Sequence, residues 1–297
     1  MKALLFPGQG SQSVGMGSDL FKNFDLIKKI FKDADQKLNY SISKIILEGP
    51  ESELKLTENT QPAILLVSYS IFRLMKEEFN ININESFKYF AGHSLGEYSA
   101  LVASGSLRFE DALTLLHARG KSMQEAVPQG KGSMLAVMGV KIDELNKLID
   151  EADRESGICE IANDNSYSQI ILSGDKKAVN NVNEILKQNK KKTIFLPVSA
   201  PFHCSLMKPA ADKMENKINQ TEFKESKYEL ISNVTAKPTK DPLIIKKLLI
   251  DQISSKVRWR ESIEFMIKND VNQLIEIGPG KVLSGLVKRI SDKVLTK

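Results

Sequence analysis

Residues 89–96 read Tyr89-Phe90-Ala91-Gly92-His93-Ser94-Leu95-Gly96, a short apolar run that ends in the pattern Gly-x-Ser-x-Gly. This pattern is typical of a sharp turn between a strand and a helix, which lifts a serine hydroxyl out of the backbone. Glycines suit the turn because it leaves no room for Cβ atoms. Residues 96–102 can continue as a helix, whose free N–H groups favour an anion beside Ser94. The stretch predicts an α/β fold with a nucleophilic serine; the alternative is a turn that merely links two elements.

A nucleophilic serine needs a base, and the chain contains three histidines. His93 adjoins Ser94 on the turn, so its ring is expected to pack behind the serine. His117 lies in an apolar helical pattern and is expected to be structural. His203 follows a strand candidate that breaks at Pro201, and loops at strand ends often carry catalytic groups. By elimination His203 is the predicted base, and the sequence identifies no acid to orient it.

Composition is that of a soluble enzyme. The 297 residues are 41% hydrophobic and 27% charged, and a chain of this length can bury a large core. The net charge of +5 suits an acidic partner but gives no nucleic-acid stripe. Two cysteines, Cys159 and Cys204, provide neither a disulfide framework nor a zinc site. The first apolar run is too short for a signal peptide, and no run reaches membrane-spanning length. We expect a cytoplasmic protein that binds neither membranes nor nucleic acid.

Strand and helix patterns alternate through residues 1–128, which predicts a parallel sheet. Within residues 129–197 the order is strand, helix, strand, strand, helix, strand, the split βαβ or ferredoxin-like unit. We therefore predict a large subdomain of residues 1–128 and 198–297, with residues 129–197 inserted as a small one. Their cleft is expected beside Ser94 and His203. The predicted helices cover residues 21–38, 51–56, 62–79, 95–103, 109–126, 142–155, 175–188, 206–220 and 243–254, and the predicted strands cover residues 3–6, 89–91, 133–140, 158–162, 169–173, 193–197 and 273–277.

A glycine-rich loop follows the first strand. Gly8, Gly10 and Gly15 suggest a backbone that approaches a ligand. Their spacing fits neither the dinucleotide fingerprint nor the phosphate loop of NTPases.

Eight motifs, in this order along the chain, resemble those of the malonyl-CoA:acyl carrier protein transacylases of type II fatty-acid synthesis. The resemblance covers nearly the whole length and implies an α/β-hydrolase-like large subdomain with a ferredoxin-like small one. The motifs are Phe6-Pro-Gly-Gln-Gly-Ser-Gln12, Gly92-His-Ser-Leu-Gly-Glu97, Arg119-Gly120 with Met123-Gln124, Ala162-Asn163, Pro197-Val-Ser-Ala-Pro-Phe-His203, Ser232-Asn-Val-Thr235, Val257-Arg-Trp259 and Glu276-Ile-Gly-Pro-Gly-Lys-Val-Leu283.

The resemblance implies a reaction in two half-steps. Ser94 would take the malonyl group from malonyl-CoA, and the phosphopantetheine thiol of an acidic acyl carrier protein would then receive it. His203 would act as base and then as acid. Gln9 and the backbone N–H of Leu95 would form the oxyanion hole. The protein would act as a monomer and would need no metal or redox cofactor.

Three further roles rest on the resemblance. Arg119 would bind the free malonyl carboxylate, although the residues around it alone favour an arginine on a helix surface. The backbone carbonyl of Gln252 would orient the histidine. Phe202 would fill the space that an α-methyl group requires and so disfavour methylmalonyl groups. Leu95, directly after the serine, also indicates a preference for malonyl groups. The chain departs from the family pattern at residues 165–168 and 254–257.

Two other functions remain open. A serine esterase or thioesterase shares the turn, but it would normally carry an acid between the serine and the histidine, and it gives no reason for Arg119. A scaffold that keeps the fold without activity is the other alternative, and the intact Ser94, His203, Gln9 and Arg119 argue against it.

Overall fold

The computed structural model describes residues 1–83, 87–152, 156–198 and 200–297, and these form an α/β structure with two β-sheets. The larger sheet has the strand order β10-β9-β1-β2-β7-β8. Its strands are β1 (Lys2–Phe6), β2 (Phe87–Gly92), β7 (Glu229–Ile231), β8 (Pro238–Thr239), β9 (Gln273–Glu276) and β10 (Leu295–Thr296).

Strand β1 lies inside the larger sheet, parallel to both β2 and β9. Its residues 3–6 are fully buried, which explains the continuous apolar run: a parallel strand covered on both faces has no polar side. Strands β7 and β10 are also parallel to their neighbours β2 and β9. Strand β8 runs antiparallel to β7 at the edge, so the sheet is mixed where the sequence predicted a parallel one.

The smaller sheet has the order β4-β5-β3-β6, and each pairing in it is antiparallel. Its strands β3, β4, β5 and β6 alternate with two helices, α8 and α9, in the order βαββαβ. The elements are β3 (Gly132–Met138), α8 (Ile142–Glu151), β4 (Cys159–Ser166), β5 (Gln169–Asp175), α9 (Lys176–Gln188) and β6 (Lys192–Phe195). The sequence predicted the first of these helices over residues 142–155, and its last three residues lie outside the described residues.

The other helices pack against the sheets or against one another. They are α1 (Ser18–Asn23), α2 (Asp25–Leu38), α3 (Ile42–Glu48), α4 (Glu51–Leu54), α5 (Thr57–Glu77), α6 (Gly96–Ser104), α7 (Phe109–Glu125), α10 (Lys208–Gln220), α11 (Pro242–Ser254), α12 (Trp259–Lys268) and α13 (Val282–Ile290). The helix predicted over residues 21–38 is two helices, because Phe24 has an extended backbone (φ −129°). The helix predicted over residues 206–220 begins as a 3₁₀ turn, Ser205–Met207.

Helix α5 begins at Thr57, whereas the sequence predicted a start at Pro62. Proline removes the backbone N–H that would bond to the carbonyl four residues earlier, which is that of Glu58. The structure supplies a substitute, since Nδ1 of His117 lies 3.2 Å from this carbonyl oxygen. Within the described ranges, neither this helix nor any other is long and apolar enough to cross a membrane.

The two sheets are joined beside strand β4. The backbone N–H of Asp164 donates to the carbonyl of Val257 (2.9 Å), and the N–H of Val257 donates to Ala162 (2.8 Å). Arg260 on α12 adds two hydrogen bonds to the buried Asp164 carboxylate, at 2.7 and 3.1 Å. These contacts fix the smaller sheet against the end of the larger one at which Ser94 lies.

Candidate active site

Ser94 lies in a tight turn between β2 and α6, as the Gly-x-Ser-x-Gly pattern predicted. Its φ of +53° is left-handed, a conformation that costs energy for a residue with a side chain. The two glycines are required by space. A Cβ on Gly92 would lie 1.9 Å from the backbone of Gly96, and one on Gly96 would lie 2.1 Å from the carbonyl oxygen of Phe6. The strand and the helix therefore approach each other closely enough to force the serine outward.

His203 contacts the serine directly. Its Nε2 lies 2.7 Å from Ser94 Oγ, and its Nδ1 lies 2.9 Å from the backbone carbonyl oxygen of Gln252. Because a carbonyl only accepts, Nδ1 carries the proton and Nε2 is free to accept one from the serine. Burial, together with the charge of Arg119, lowers the pKa of His203 to about 3. The imidazole is therefore neutral at physiological pH, as a general base must be.

Arg119 lies inside the protein with 1% of its surface exposed, so the alternative of a surface arginine is wrong. Its Nη2 donates to Ser94 Oγ (3.2 Å) and to Gln252 Oε1 (2.8 Å), and its Nη1 donates to Gln61 Oε1 (2.8 Å). Its buried Nε has no hydrogen-bond partner. In the described parts of the chain no carboxylate pairs with it, and an unpaired buried guanidinium is costly. The site therefore holds a positive charge that suits an anionic ligand beside the serine.

Gly120 explains how Arg119 reaches the interior. A Cβ at Gly120 would lie 2.5 Å from the carbonyl oxygen of Thr57, so only glycine lets α7 pack this closely against the start of α5. The close approach brings Arg119 beside Gln61 on α5.

The sequence did not identify three polar residues that hold this arrangement. Asn233 Oδ1 accepts the N–H of Ser94 (2.7 Å), and its Nδ2 donates to the carbonyl of Gly92 (2.7 Å). Glu97, 6% exposed, accepts the N–H of Asn233 (3.1 Å) and the Nε2 of Gln252 (2.7 Å). Gln61 holds Arg119. Glu97 and Asn233 each lie within one of the eight family-like motifs. That position was the one sequence signal that could have pointed to them.

Of the two predicted oxyanion donors, Leu95 lies in this turn and Gln9 lies in the loop that follows β1. Neither the N–H of Leu95 nor the side chain of Gln9 makes a hydrogen bond to another described residue. Gln9 lines a cleft of about 650 Å³ together with Lys55, Phe195 and Lys176.

Phe202 directly precedes His203, is 7% exposed and belongs to the main hydrophobic core. Its aromatic ring is therefore held by packing.

The other two histidines lie apart from the hydroxyl. His93 Nε2 lies 2.8 Å from Asn165 Oδ1, and its ring packs 5.5 Å from that of Trp259, behind the turn. Burial lowers the pKa of His93. Nδ1 of His117 lies 3.4 Å from the hydroxyl of Tyr40 and also contacts the Glu58 carbonyl of helix α5. Asn165 belongs to the first of the two segments that depart from the family pattern. Through its contact with His93 it supports the turn that carries Ser94.

Both cysteines, Cys159 and Cys204, are free thiols whose pKa is raised by burial. Within the described ranges no group of three or more histidine, cysteine or carboxylate side chains is arranged to hold a metal ion.

Comparison with known proteins gives consistent results. The acyl transferase domain family matches residues 3–294. The chain is 44% identical to a malonyl CoA-acyl carrier protein transacylase of Bacillus subtilis over 99% of this chain and 92% of the relative, and 40% identical to that of Escherichia coli K12 over 98% and 93%.

Solved structures agree with the sequence relatives. An acyl-carrier-protein-S-malonyltransferase from Bartonella henselae superposes with a TM-score of 0.96 at 44% identity, covering 99% of this chain and 94% of that one. A malonyl-transacylase in complex with a type II polyketide acyl-carrier protein superposes with a TM-score of 0.95 at 39% identity, with coverage of 99% and 94%.

Proposed function

Because this chain belongs to the malonyl-CoA–acyl carrier protein transacylases of the acyl transferase domain family, we propose that Ser94 and His203 carry out the family's reaction in it. The enzyme transfers a malonyl group from malonyl-CoA to acyl carrier protein for fatty-acid synthesis. The observation that carries the assignment of residues is the buried Arg119, whose guanidinium reaches Ser94 Oγ without a carboxylate of its own.

The first half-step forms an ester on the serine. Neutral His203 takes the proton of Ser94 Oγ as the oxygen attacks the thioester carbonyl of malonyl-CoA, over the 2.7 Å that separates Oγ from Nε2. Gln252 keeps the other ring nitrogen protonated. The carbon–sulfur bond then breaks, and the imidazolium returns its proton to the departing thiolate. The products are free coenzyme A and an O-malonyl serine.

The negative charge of the tetrahedral intermediate needs donors that are already in place. The N–H of Leu95 and the side chain of Gln9 serve this role, since neither is engaged elsewhere in the described structure. Donors aligned in advance stabilise the transition state more than the ground state, so their effect falls on kcat.

Arg119 recognises the acyl group. A malonyl carboxylate would pair with the guanidinium in a charge-assisted hydrogen bond and supply the directly paired counter-charge that Arg119 lacks among the described residues. An acetyl group has no carboxylate, so it would bring no hydrogen-bonded anion to the guanidinium of Arg119. The geometry thus favours malonyl over acetyl groups.

In the second half-step the phosphopantetheine thiol of the acyl carrier protein gives its proton to His203 and attacks the ester carbonyl. The bond between the acyl carbon and Ser94 Oγ then breaks, and the imidazolium returns its proton to Oγ. The products are malonyl-acyl carrier protein and the free serine. The cleft beside Gln9 provides a route for the phosphopantetheine arm, because its walls combine the apolar Phe195 with Lys55 and Lys176. Cations at its edge suit coenzyme A phosphates and an acidic carrier protein.

The finer structural assignments remain proposals. Residues 129–197 would be a ferredoxin-like subdomain inserted into an α/β-hydrolase-like one formed by residues 1–128 and 198–297; the βαββαβ order with the strand arrangement β4-β5-β3-β6 supports this. The monomeric state, the cytoplasmic location, the absence of nucleic-acid or membrane binding and the lack of a cofactor stay predictions from the sequence.

Intact mass spectrometry tests the proposed residues. The wild-type enzyme with malonyl-CoA should gain the mass of one malonyl group, and Ser94→Ala should gain none. His203→Ala should form the adduct about 10²–10⁴ times more slowly.

Two outcomes would contradict the proposal. Adduct formation on Ser94→Ala, or an unchanged rate in His203→Ala, would mean that other residues carry the reaction. Continued release of coenzyme A without acyl carrier protein would indicate a hydrolase.

A further inference from the structure

Gln252 connects the two functional halves of the site. It is completely buried, and its backbone carbonyl holds His203. Its side-chain oxygen accepts from Arg119 at 2.8 Å, while its side-chain nitrogen donates to Glu97 at 2.7 Å and to the carbonyl of Ser94 at 3.1 Å. One amide therefore separates the cation that would bind the substrate from a buried carboxyl group.

The neighbours fix the orientation of this amide. A guanidinium only donates, so the amide oxygen must face Arg119, and the NH₂ group is left to face Glu97. Hydrogen bonds in such a chain polarise one another when both ends are charged. A change of charge at Glu97 is therefore transmitted to Arg119, both through the amide and directly through the low-dielectric interior.

The surroundings of Glu97 contain few other charges. Arg119 on α7 and the phenol of Tyr98 on its own helix act on it electrostatically, while Asn233 and Gln252 contribute uncharged donors. His93 and His203 lie nearby with lowered pKa values and are neutral at pH 7. Among the described residues no charged side chain of β1, β2 or α5 acts on it. Arg119 is the cation that ionised Glu97 balances.

We propose that Glu97 is a positioning residue coupled to Arg119 through Gln252, and that a malonyl carboxylate binds at Arg119 more favourably when Glu97 is protonated. The inference rests on the proposed function, because it concerns the carboxylate that Arg119 receives. In the free enzyme ionised Glu97 partly neutralises the arginine. Once the substrate carboxylate arrives, two anions share one cation, and protonation of Glu97 removes the excess negative charge.

Glu97 changes its protonation state within the pH range in which the enzyme can be assayed. Burial raises its pKa to about 7, against the opposing effects of the Asn233 and Gln252 hydrogen bonds and of Arg119. Protonated Glu97 thus predominates below about pH 7 and the carboxylate above it. Malonyl binding raises this pKa further, so the enzyme takes up a proton when malonyl-CoA binds above pH 7.

The wild-type enzyme alone provides the first test. We expect kcat/KM for malonyl-CoA to fall about tenfold from pH 6 to pH 9, a coupling of ordinary size between two sites. With acetyl-CoA, kcat/KM for acylation should stay level over the same range, because no second anion enters the site. Equal pH dependence with both substrates would overturn the coupling. Failure to form a malonyl-enzyme at any pH would instead contradict the proposed function itself.

Two substitutions of Glu97 distinguish the effect of its charge from its role in positioning Gln252. In Glu97→Gln the amide oxygen can still accept from Asn233 and Gln252, so kcat should be kept while the pH dependence with malonyl-CoA disappears. Glu97→Ala removes both hydrogen bonds and releases Gln252, so kcat should fall with both acyl donors. A pH profile in Glu97→Gln that matches the wild type would overturn the coupling, and an unchanged kcat in Glu97→Ala would overturn the positioning role.

Glu160 offers a matched control. This carboxylate accepts the N–H (2.8 Å) and the hydroxyl (2.6 Å) of Ser205, two residues after His203, and makes no contact with Gln252. Glu160→Gln should therefore keep the wild-type pH profile. Loss of the pH dependence in Glu160→Gln would show that the effect does not run through Gln252.

Discussion

The Nδ1 atom of His203 lies 2.9 Å from the backbone carbonyl oxygen of Gln252, at the place where serine hydrolases commonly carry a carboxylate. A carbonyl orients the imidazole and fixes its tautomer, but it brings no full negative charge to stabilise the imidazolium. With Arg119 close by, the protonated ring is disfavoured further. This explains why the sequence showed no partner acid.

The activity of His203 should persist in acid. The base works in its neutral form, which exists above its pKa, and this pKa is lowered to about 3. Hence kcat/KM for malonyl-CoA should not decrease between pH 7 and pH 5. A histidine with its ordinary pKa near 6.5 would lose activity roughly 25-fold over this interval. Stopped-flow measurement of coenzyme A release provides the profile, and an acid limb near pH 6.5 would contradict the assigned environment.

Gln9→Ala should lower kcat by about 10²–10³ and change KM little, because an oxyanion donor acts mainly on the transition state. Steady-state kinetics with malonyl-CoA and acyl carrier protein measure both constants. Gln129→Ala is a suitable control, since Gln129 lines the same cleft but belongs to the loop before β3. An effect of Gln9→Ala on KM alone would assign Gln9 to binding.

Arg119→Ala should reduce kcat/KM for malonyl-CoA about ten- to over a hundredfold, as expected when a hydrogen bond to a charged group worth roughly 1.5–3 kcal/mol is lost. With acetyl-CoA the loss should be small, since no carboxylate is bound. Arg108→Ala, an exposed arginine just before the same helix, controls for general effects. Equal losses with both substrates would show that Arg119 mainly supports Ser94 and Gln252.

Local sequence signals were sufficient for the turn at Ser94 because a strand, a turn and a helix follow one another within residues 87–104. Strands β7, β8 and β10 were not predicted. They contain two or three residues each and are defined by pairing with distant strands, so no periodicity marks them.

The polar network of the site could not be predicted from the sequence for a related reason. Glu97 and Gln252 are 155 positions apart, and Ser94 and Asn233 are 139 apart, so their contacts exist only once the sheet has formed. Arg119 shows the same limit. Its burial depends on how closely Gly120 approaches Thr57, which the pattern of one helix does not reveal.

Phe202→Ser tests how the enzyme excludes branched acyl groups. Phe202 precedes the base directly and is buried. We expect its ring to occupy space that an α-methyl group would need. Removing the ring should raise the methylmalonyl-to-malonyl ratio of kcat/KM by about tenfold, within the range for one carbon in an apolar pocket. It also truncates a core aromatic, which typically costs about 3–5 kcal/mol of stability.

The control for Phe202→Ser must share that loss of packing. Phe223 belongs to the same hydrophobic core with similar burial, at 8% exposed. Phe223→Ser should therefore lower the melting temperature comparably and leave the substrate ratio unchanged. Because the ratio is taken within one variant, a partly unfolded fraction cancels from it. If Phe202→Ser loses activity with malonyl-CoA and methylmalonyl-CoA alike, Phe202 is a packing residue, and the discrimination must come from another part of the acyl pocket.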